Sequence, residues 1–573
     1  MIRMESEGLV IRLRRKYFSV PESKLVRGIL QPTVRGYGFV IPEERHVEDI
    51  FIPARAAAGA VRGDRVEVFV KPAGKKGKTE GRVLRILEQG RPDVLGVFQQ
   101  KEGTGFLIPL DSAGQEIPLP ERVASRLEPG MIVSLNRGDL EIKEVLGHPE
   151  EEGVDTAVII RKYRLSKEFQ AEALLEAEGI DDSIESSDLD GRLDLRKWTT
   201  VTIDGPDARD FDDAVGIREL PGGLLQVGVH IADVSHYVRP QTFLDRDAMT
   251  RGTSVYFSDR TLPMLPEKLS ERVCSLRPGE DKLAISVFLE VDGGGSVVKA
   301  EFHPSLIRTR RRMTYDTVSR ILAGEPEQQG EHADVVSVLV LMERAAGLLR
   351  DKRLGEGSLD IDIVEPQLVS RNDSLQDVVP QVRTRAHHII EEFMIAANEA
   401  VALFLQKKGG GLIYRIHPVP VEEDLAELRR DLSPFGFSLP PPSDIRPLDM
   451  QRILEQVRGK LIEKFVSLRL LRSLRLALYS EENEGHFGLA KKVYTHFTSP
   501  IRRYPDLVVH RMLKNALKGE RIVEPGLAAV SAQASAMERA ADDAERDLLE
   551  WRILRILKRR IGETFEGIIV AWA

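Results

Sequence analysis

The sequence predicts a multidomain protein in which two small all-β barrels are followed by a large mixed α+β domain. With 573 residues, the chain is long enough for about three to five domains of ordinary size. Short runs rich in Val, Ile and Phe alternate with Gly-containing turns over residues 25–70, and a weaker copy of this pattern follows over 94–136. From residue 196 onwards, the strand-like runs KWTTVTI, DDAVGIREL and LLQVGVHIADV follow one another, and the Pro221-Gly222-Gly223 turn joins the last two. Helical periodicity follows, and helices are predicted over 387–408, 449–480 and 526–559.

The composition is that of a globular protein from a reducing compartment. Apolar residues make up 42% of the chain and charged residues 30%, so extensive disorder is not expected. The single cysteine, Cys274, excludes an internal disulfide and a cysteine-based zinc site. The N-terminus has no apolar signal-peptide core, and the longest apolar stretch is far below the ~20 residues of a membrane span. We therefore expect a cytoplasmic protein without a membrane partner.

The charge of the chain is unevenly distributed. The formal net charge is −8, yet residues 1–90 contain 18 Lys and Arg against 11 Asp and Glu. A basic N-terminal region on an acidic body suggests a module that handles polyanions. Drift in composition explains such an asymmetry equally well, so the decision rests on local motifs.

The first β-rich stretch carries a cluster of aromatic residues. Tyr37 and Phe39 are two residues apart in RGYGFVI and share one face of a strand, which Phe51 in DIFIPA can join from the next strand. With Arg35 beside them, these rings suit stacked bases and phosphates, and packing in a barrel core is the alternative. RGYGFV and DIFIPA resemble a cold-shock-type OB fold. VLGVFQQKEGTGFLIPL at 94–110 looks like a second copy, which gives tandem OB barrels.

The segment TIDGPDARDFDDAV is the strongest chemical signal in the sequence. It contains five aspartates within ten residues: Asp204, Asp207, Asp210, Asp212 and Asp213. Asp204 ends an apolar strand, and a Gly-Pro turn separates it from the DFDD run that opens the next strand. Such a density of like charges is unfavourable unless a cation neutralises it, and oxygen ligands without His or Cys select Mg²⁺ or Mn²⁺. The pattern predicts metal-assisted phosphodiester hydrolysis, with a solvated acidic turn as the alternative.

This aspartate segment resembles the catalytic signature of the ribonuclease II/ribonuclease R (RNB) family, in which four aspartates follow the spacing D-x5-D-x-D-D. Further blocks resemble that family in its own order: HIADVSHYV, RGTSVYFSDRTLPMLPEKLS, EEFMIAAN, YRIHPVP, HFTSPIRRYPDLVVHR and AERDLLEW. Together with the paired barrels, the resemblance covers nearly the whole chain and is closer to ribonuclease R than to ribonuclease II.

The resemblance implies a processive, hydrolytic 3′→5′ exoribonuclease that releases 5′-nucleoside monophosphates from single-stranded RNA, in RNA degradation and turnover. It also implies one or two Mg²⁺ ions, with Mn²⁺ as the alternative ion, and we expect a monomer. The implied metal ligands are Asp204, Asp210, Asp212 and Asp213, whereas Asp207 is a non-ligand. A catalytically silent RNA-binding or chaperone protein of the same fold is one alternative, and a DNA exonuclease is another.

The resemblance implies roles for residues that would touch the RNA. Tyr256 in GTSVYF matches a tyrosine that stacks on or clamps the terminal nucleotide, and core packing is its alternative. Arg502 in SPIRRYPD would bind the phosphate at or near the transition state, and Arg503 would bind the RNA backbone. We expect one of these two arginines to be structural.

Two further positions resemble residues that recognise the sugar 2′-hydroxyl, namely Tyr315 in RRMTYD and Glu392 in EEFMIAAN. Glu391 competes with Glu392, because adjacent helical residues point about 100° apart. Three histidines in the family blocks are expected to be structural and not metal ligands: His230, His236 and His417.

The resemblance also divides the chain into domains. It implies a winged-helix remnant over 1–22, a first cold-shock-type OB fold over 23–88, a second OB fold over 89–147, a connector over 148–195, the RNB catalytic domain over 196–560 and the start of a C-terminal OB-fold RNA-binding domain over 561–573. Both ends therefore resemble incomplete domains, and residues 562–573 are expected to be poorly ordered.

Overall fold

The computed structural model describes residues 11–14, 17–19, 25–32, 37–43, 49–60, 63–70, 79–88, 90, 93–110, 116–361, 365–371, 374–522 and 526–567. The chain divides into two compact units, Met1–Arg164 and Leu165–Ala573. The boundary lies inside the predicted connector 148–195, so the residues of that segment are shared between the two units.

The first unit contains a short hairpin and a five-stranded antiparallel sheet. Their strands are β1 (Ile11–Arg14), β2 (Tyr17–Ser19), β3 (Leu25–Pro32), β4 (Gly38–Pro42), β5 (Ile50–Ile52), β6 (Arg65–Val70) and β7 (Gly81–Glu88). β1 pairs with β2, and the sheet has the order β5-β4-β3-β6-β7. Val26 and Val68 are opposite each other across β3 and β6 and are both buried in the core of this sheet. A parallel bridge between Phe51 and Glu80 joins β5 to the residue before β7, so the two edges of the sheet meet.

A second five-stranded antiparallel sheet follows in the first unit. Its strands are β8 (Asp93–Lys101), β9 (Thr104–Pro109), β10 (Ile117–Pro118), β11 (Ile132–Asn136) and β12 (Ile142–Gly147), in the order β10-β9-β8-β11-β12. Helix α1 (Glu121–Ala124) connects β10 to β11, and α2 (Val154–Tyr163) follows β12. The strand order repeats that of the first sheet, and Phe98, Leu107 and Val133 form the core. Both β-rich stretches that the sequence predicts are therefore sheets.

The second unit is built on a seven-stranded sheet. The strands of this region are β13 (Leu193–Asp194), β14 (Thr200–Asp204), β15 (Asp213–Glu219), β16 (Leu225–Ala232), β17 (Val255–Tyr256), β18 (Thr261–Leu262), β19 (Asp281–Val291), β20 (Val297–Arg308) and β21 (Arg311–Thr314). β17 and β18 form a separate hairpin, and the others form one sheet in the order β13-β20-β19-β16-β15-β14-β21. The predicted strands KWTTVTI, DDAVGIREL and LLQVGVHIADV correspond to β14, β15 and β16, and β14 extends one residue further, to Asp204. The last two, which the predicted Pro-Gly-Gly turn joins, pair antiparallel.

Twelve helices are found in the described part of the second unit. They are α3 (Ala171–Glu178), α4 (Val234–Tyr237), α5 (Phe243–Arg251), α6 (Tyr315–Leu322), α7 (Pro326–Glu331), α8 (Val336–Gly355), α9 (Arg385–Lys408), α10 (Glu422–Leu432), α11 (Pro447–Val457), α12 (Glu463–Ser473), α13 (Tyr504–Lys518) and α14 (Leu527–Lys558). The helices predicted over 387–408 and 526–559 are confirmed as α9 and α14. Within the described segments, no helix combines the length and apolar character needed to cross a membrane.

The helices of the second unit form two hydrophobic cores. α8 and α9 pack against β15, β16 and β19, and their buried residues join the large core of the sheet. α10, α11 and α12 bury Leu428, Met450 and Val466 in a smaller core of their own. Three short two-stranded antiparallel sheets complete the unit, namely β17–β18, β22 (Pro366–Arg371) with β23 (Ser374–Pro380), and β24 (Tyr414–Ile416) with β25 (Leu478–Ser480). The region 449–480, predicted to be helical, therefore contains two helices and one short strand.

The two ends of the chain are only partly described. Residues 1–10 of the expected winged-helix remnant and residues 568–573 of the expected C-terminal strand lie outside the described residues. Residues 561–567 are described and carry no strand.

The core of the second unit depends on helix α9, where Phe393 is fully buried between α9 and the sheet. We expect Phe393→Ala to destabilise this unit by about 3–5 kcal/mol, because the substitution loses apolar burial and leaves a cavity. Leu403→Ala, on the same helix but with Leu403 49% exposed, is the matched control and should change stability by less than about 0.5 kcal/mol. Differential scanning calorimetry measures both, and equal shifts for the two variants would contradict this view of the core.

Candidate active site

Asp204 and Asp213 lie side by side because two neighbouring strands turn back on each other. β14 ends at Asp204, and its antiparallel neighbour β15 begins at Asp213. The loop 205–212 between them carries Asp210 and Asp212 to the same edge of the sheet. The charges of Asp213 and Asp210 act on Asp204, and those of Asp210 and Asp213 act on Asp212. Four carboxylates thus gather at the end of β14.

Hydrogen bonds anchor the loop 205–212 from two directions. Arg312, in β21, donates to both carbonyls of the Gly-Pro turn at 2.6 Å. From the other direction, the backbone N–H of Phe211 donates to Ser275 Oγ at 3.0 Å, and that hydroxyl donates to the carbonyl of Arg209 at 2.7 Å. Asp210 and Asp212 therefore project from a loop whose backbone is fixed.

The surroundings of the carboxylates disfavour their negative charge. Burial raises the pKa of Asp204, and the neighbouring charge of Asp213 raises it further. Burial also raises the pKa of Asp212 and of Asp213, and the Arg502 guanidinium opposes that effect. Asp207 is exposed, in contrast to the buried Asp212.

The oxygen atoms of this cluster fit a hard divalent cation. Asp204 Oδ2 and Asp212 Oδ2 are buried without a hydrogen-bond partner, which costs free energy that a cation would recover. The donor set consists of carboxylates, as Mg²⁺ and Mn²⁺ prefer. Throughout the part of the chain that the structure describes, no group of three or more His, Cys, Asp and Glu side chains is arranged so that it could hold a metal ion as it stands. The carboxylates would therefore have to close around an ion.

The loop before α13 brings Arg502 to the carboxylates. The backbone N–H of Ile501 donates to Asp212 Oδ1 at 2.8 Å, which ties this loop to the cluster. Arg502 Nε lies 3.8 Å from Asp212 Oδ2, and another nitrogen of the guanidinium donates to Ser499 Oγ at 3.1 Å. The Arg502 side chain keeps 42% of its surface exposed, so its guanidinium can accept an additional anionic partner.

Arg503 occupies a different environment from its neighbour. Its guanidinium donates twice to the buried Asp506, from Nε to Oδ2 at 3.0 Å and from a terminal nitrogen to Oδ1 at 2.7 Å. Asp506 Oδ1 also accepts the backbone N–H of Ser499 at 2.8 Å. Arg503 therefore stabilises the loop, which favours Arg502 as the residue that faces a ligand.

Tyr256 borders the cluster from the β17–β18 hairpin. Its hydroxyl donates to Asp210 Oδ2 at 2.7 Å, and its backbone N–H donates to Glu545 Oε1 at 2.7 Å. The Tyr256 side chain remains 39% exposed, so its ring is open to a ligand instead of being packed in the core. Glu545 comes from α14, and burial raises its pKa to about 7.

Tyr315 reaches the carboxylates because β21 runs parallel to β14. Thr314 lies opposite Asp204 in that pairing, and Tyr315 follows as the first residue of α6. Tyr315 and Glu391 line the same pocket of about 430 Å³. The structure thus brings Tyr315 and Glu391 together beside the cluster.

Glu392, the neighbour of Glu391, faces the protein interior. It is 2% exposed, and its two oxygens accept hydrogen bonds from the Arg353 guanidinium at 2.5 and 2.9 Å. Glu392 therefore does not face the pocket, contrary to the expectation that it recognises the 2′-hydroxyl. The geometry favours the alternative residue, Glu391, for this role. The physical reason is the helical rotation of about 100° between neighbours, which turns one glutamate into the core and the other towards the pocket.

Family models and known relatives show the protein family to which the chain belongs. A family model described as the RNB domain matches residues 192–519, which is more than half of the chain. The chain belongs to the RNB family. A second model, the ribonuclease B OB domain, matches residues 28–86 and includes the first five-stranded sheet from β4 to β6. Ribonuclease R of Aquifex aeolicus is 38% identical over 584 residues, covering 99% of this chain and 82% of its own length.

Solved structures share the fold of this RNB protein. RNase R of Mycoplasma genitalium, in complex with ribose methylated single-stranded RNA, has a TM-score of 0.83 at 24% identity and covers 96% of this chain and 89% of its own. Yeast Ssd1, described as a pseudonuclease, has a TM-score of 0.72 at 18% identity, with 94% and 74% covered. At these identities the likeness to solved structures establishes the fold alone.

Three histidines of the RNB region form structural contacts. His230 Nδ1 lies 2.7 Å from Ser286 Oγ inside the sheet. His236 Nε2 lies 3.1 Å from Asp188. His417 Nδ1 accepts the backbone N–H of Gly488 at 3.0 Å. In each of these three contacts, the partner of the histidine lies outside the carboxylate cluster.

The aromatic cluster of the OB domain forms as the sequence predicts. The ring centroids of Tyr37, Phe39 and Phe51 are 5.4–6.0 Å apart, and Phe39 is 36% exposed. The rings thus lie on one face of the first sheet and are not enclosed in its core. Arg35 lies outside the described residues.

Sequence reasoning missed three residues that shape the RNB site. Glu545 lies in the block AERDLLEW, where the sequence predicts no role for it. Its bond to the Tyr256 backbone spans 289 residues and therefore gives no local sequence signal. Arg312 and Ser275 were missed for the same reason, since their partners are backbone atoms of the loop 205–212. The run of basic residues around Arg312 was the available signal for the first of these two.

The contrast between the two arginines predicts different effects on stability. Arg503→Ala should destabilise the second unit by about 3 kcal/mol or more, because Asp506 is left buried without its partner. Arg502→Ala should change stability by less than about 0.5 kcal/mol, because this side chain is partly exposed and its contact with Asp212 is long, at 3.8 Å. Thermal unfolding of both variants checks this, and a larger loss for Arg502→Ala would reverse the assignment of the pair.

Proposed function

We propose that this chain acts as a processive, hydrolytic 3′→5′ exoribonuclease that degrades single-stranded RNA and releases 5′-nucleoside monophosphates. Exoribonuclease activity itself follows from membership of the RNB family and from the ribonuclease R relatives. The observation that carries the finer proposal is the group of four carboxylates at the end of β14, flanked by the exposed faces of Tyr256 and Arg502.

The proposed metal ligands are Asp204, Asp210, Asp212 and Asp213, which would hold one or two Mg²⁺ ions, with Mn²⁺ as the alternative. The two buried oxygens without a hydrogen-bond partner, Asp204 Oδ2 and Asp212 Oδ2, and the all-oxygen donor set support this proposal. When bound, a metal ion of this kind lowers the pKa of the attacking water and offsets the charge that develops on the leaving 3′-oxygen.

The remaining groups of the site bind and orient the RNA in this proposal. The Arg502 guanidinium contacts a non-bridging oxygen of the scissile phosphate, whose charge it offsets as the reaction proceeds. The Ile501–Asp212 hydrogen bond fixes the distance of Arg502 from the carboxylates. The Tyr256 ring stacks on the terminal nucleotide, and its hydroxyl bond to Asp210 fixes the ring plane.

Tyr315 and Glu391 are the proposed readers of the sugar 2′-hydroxyl, the group that separates RNA from DNA. Their common pocket beside the carboxylates supports this role. We assign it to Glu391 in place of Glu392, because Arg353 binds both oxygens of the buried Glu392, whereas it meets one oxygen of the partly exposed Glu391 at 3.4 Å. Arg503 is proposed to act through the loop and not by contact with the RNA backbone.

The first unit supplies the proposed auxiliary RNA-binding surface. The half-exposed rings of Tyr37, Phe39 and Phe51 suit base stacking, which is tolerant of sequence. We also propose that the second sheet is an OB barrel like the first, because its strand order is the same. We also expect a monomer. The free thiol of the buried Cys274 supports our expectation of a reducing compartment such as the cytoplasm.

The central test of catalysis compares two aspartates of the same loop. Asp212→Asn should lower the rate of RNA shortening by about 10³-fold or more, because the buried carboxylate is a proposed metal ligand. Asp207→Asn, at an exposed position, is the matched control and should keep the wild-type rate. A 5′-labelled single-stranded RNA, incubated with Mg²⁺ or with EDTA, reports a ladder that shrinks from the 3′ end.

The same experiment separates the proposal from its alternatives. Loss of shortening in EDTA, together with retained RNA binding by Asp212→Asn in a filter assay, is the expected result. Equal products with and without metal would reject metal-assisted hydrolysis. Binding without shortening by the wild-type protein would instead favour the catalytically silent alternative.

Two variants test whether Glu391 is the glutamate that recognises the 2′-hydroxyl of the sugar. Glu391→Ala should reduce the preference for RNA over DNA of the same sequence by about 10–100-fold, as expected for loss of one hydrogen bond to a charged group. Glu392→Ala should mainly lower the Tm, since it removes the two bonds of Arg353 to Glu392 and leaves this buried guanidinium with Ser358 and a 3.4 Å contact to Glu391. Rates on the two oligonucleotides and thermal unfolding check both statements, and an unchanged preference in Glu391→Ala would move the role elsewhere.

A further inference from the structure

His387 lies directly against Tyr315. The two rings stack face to face, with their centroids 3.9 Å apart and their planes inclined by 9°. Tyr315 begins α6, whereas His387 lies in the first turn of α9, so this contact joins two helices that are distant in sequence. A ring stacked in this way loses the freedom to tilt, and the direction of the Tyr315 hydroxyl is fixed with it.

The His387 imidazole is itself held by the start of α9. The hydroxyl and the backbone N–H of Thr384 lie 2.9 and 3.2 Å from His387 Nδ1, in a capping-box arrangement. Nδ1 accepts the backbone N–H, so the ring proton is on Nε2. Burial lowers the pKa of His387, and the charges of His388 and Arg383 lower it further, which favours this neutral form.

The stacked pair forms part of the wall of the pocket beside the carboxylates. Its lining consists of Tyr315, Glu365, Gln381, Arg383, His387, Ile390 and Glu391, and its volume is about 430 Å³, within the usual range for small-ligand sites. His387 and Glu391 are four residues apart on α9 and therefore share one face of the helix. His387 thus contacts one proposed sugar reader and stands on the same helix face as the other.

We propose that His387 is a positioning residue for sugar recognition, which holds the Tyr315 ring so that the Tyr315 hydroxyl and the Glu391 carboxylate meet the same 2′-hydroxyl. This inference rests on the proposed function, because it concerns recognition of the sugar in the same site. His387 acts through Tyr315 and does not need to touch the RNA. The competing explanation is that His387 only caps α9 and contributes to stability.

Two substitutions separate stacking from capping. His387→Gln keeps a side chain at the third helical position that can bond back to Thr384, as in common capping boxes, but removes the ring. His387→Phe keeps a ring that can stack on Tyr315 but removes the acceptor. His388→Ala is the matched control, since His388 is the next residue of the same helical turn and is not among the residues that line the pocket.

The measurement is kcat/KM for a single-stranded RNA, divided by kcat/KM for the same oligonucleotide with 2′-deoxyribose at its last two positions. We expect His387→Gln to lower this ratio about tenfold, the size of one well-oriented hydrogen bond, while His387→Phe and His388→Ala stay within about threefold of wild type. In thermal unfolding, His387→Phe should have a lower Tm than His387→Gln, because it loses the bond that caps α9.

The possible outcomes are distinguishable from failure of the proposed function. A ratio that is preserved in His387→Gln and lost in His387→Phe would assign His387 to capping and overturn the inference. Equal ratios in wild type and all variants would also overturn it, while leaving exoribonuclease activity intact. A wild-type protein that shortens neither oligonucleotide would instead reject the proposed function itself.

Discussion

The gathering of four carboxylates at the end of β14 is the constraint on which the rest of the catalytic unit depends. Carboxylates placed so close in surroundings of low polarity repel one another, and burial raises the pKa of three of them. Such an arrangement persists only if the backbone that carries it is fixed independently of the charges. The sheet fixes one side through β14 and β15, and the contacts of Arg312 and Ser275 fix the loop between them.

Distant segments of the chain reach the active site by bonding to these same carboxylates. The loop before α13 is attached through the Ile501–Asp212 hydrogen bond, and the β17–β18 hairpin is attached through the Tyr256–Asp210 bond. α14 joins through Glu545, which accepts the Tyr256 backbone N–H. The carboxylates therefore serve two purposes, because one oxygen of Asp210 or Asp212 orients a neighbouring element while others remain for a cation. A substitution at either aspartate should for this reason disturb more than metal binding.

Two pairs of adjacent residues show how structure and function are divided in this unit. In each pair, one side chain is engaged in a buried ion pair, Arg503 with Asp506 and Glu392 with Arg353. The other member, Arg502 or Glu391, is directed to the cleft with part of its surface exposed. Breaking a buried ion pair costs several kcal/mol, so the buried member of each pair keeps its position. Its backbone is then held in place, and this sets the direction of the adjacent, partly exposed side chain. His387 extends this logic to Tyr315, which it holds by stacking instead of by charge.

The sequence by itself determined the β-rich first unit, the strands β14 to β16, the helices α9 and α14, and the group of aspartates, because these depend on local periodicity and on spacing within one short segment. It also narrowed the ligand-facing residues to the pairs Arg502 or Arg503 and Glu391 or Glu392. Only the tertiary structure shows which member of each pair is the buried one, since that depends on partners such as Asp506 and Arg353. The role of Glu545 was also beyond reach of the sequence, because a hydrogen bond to a backbone atom across the fold leaves no pattern along the chain.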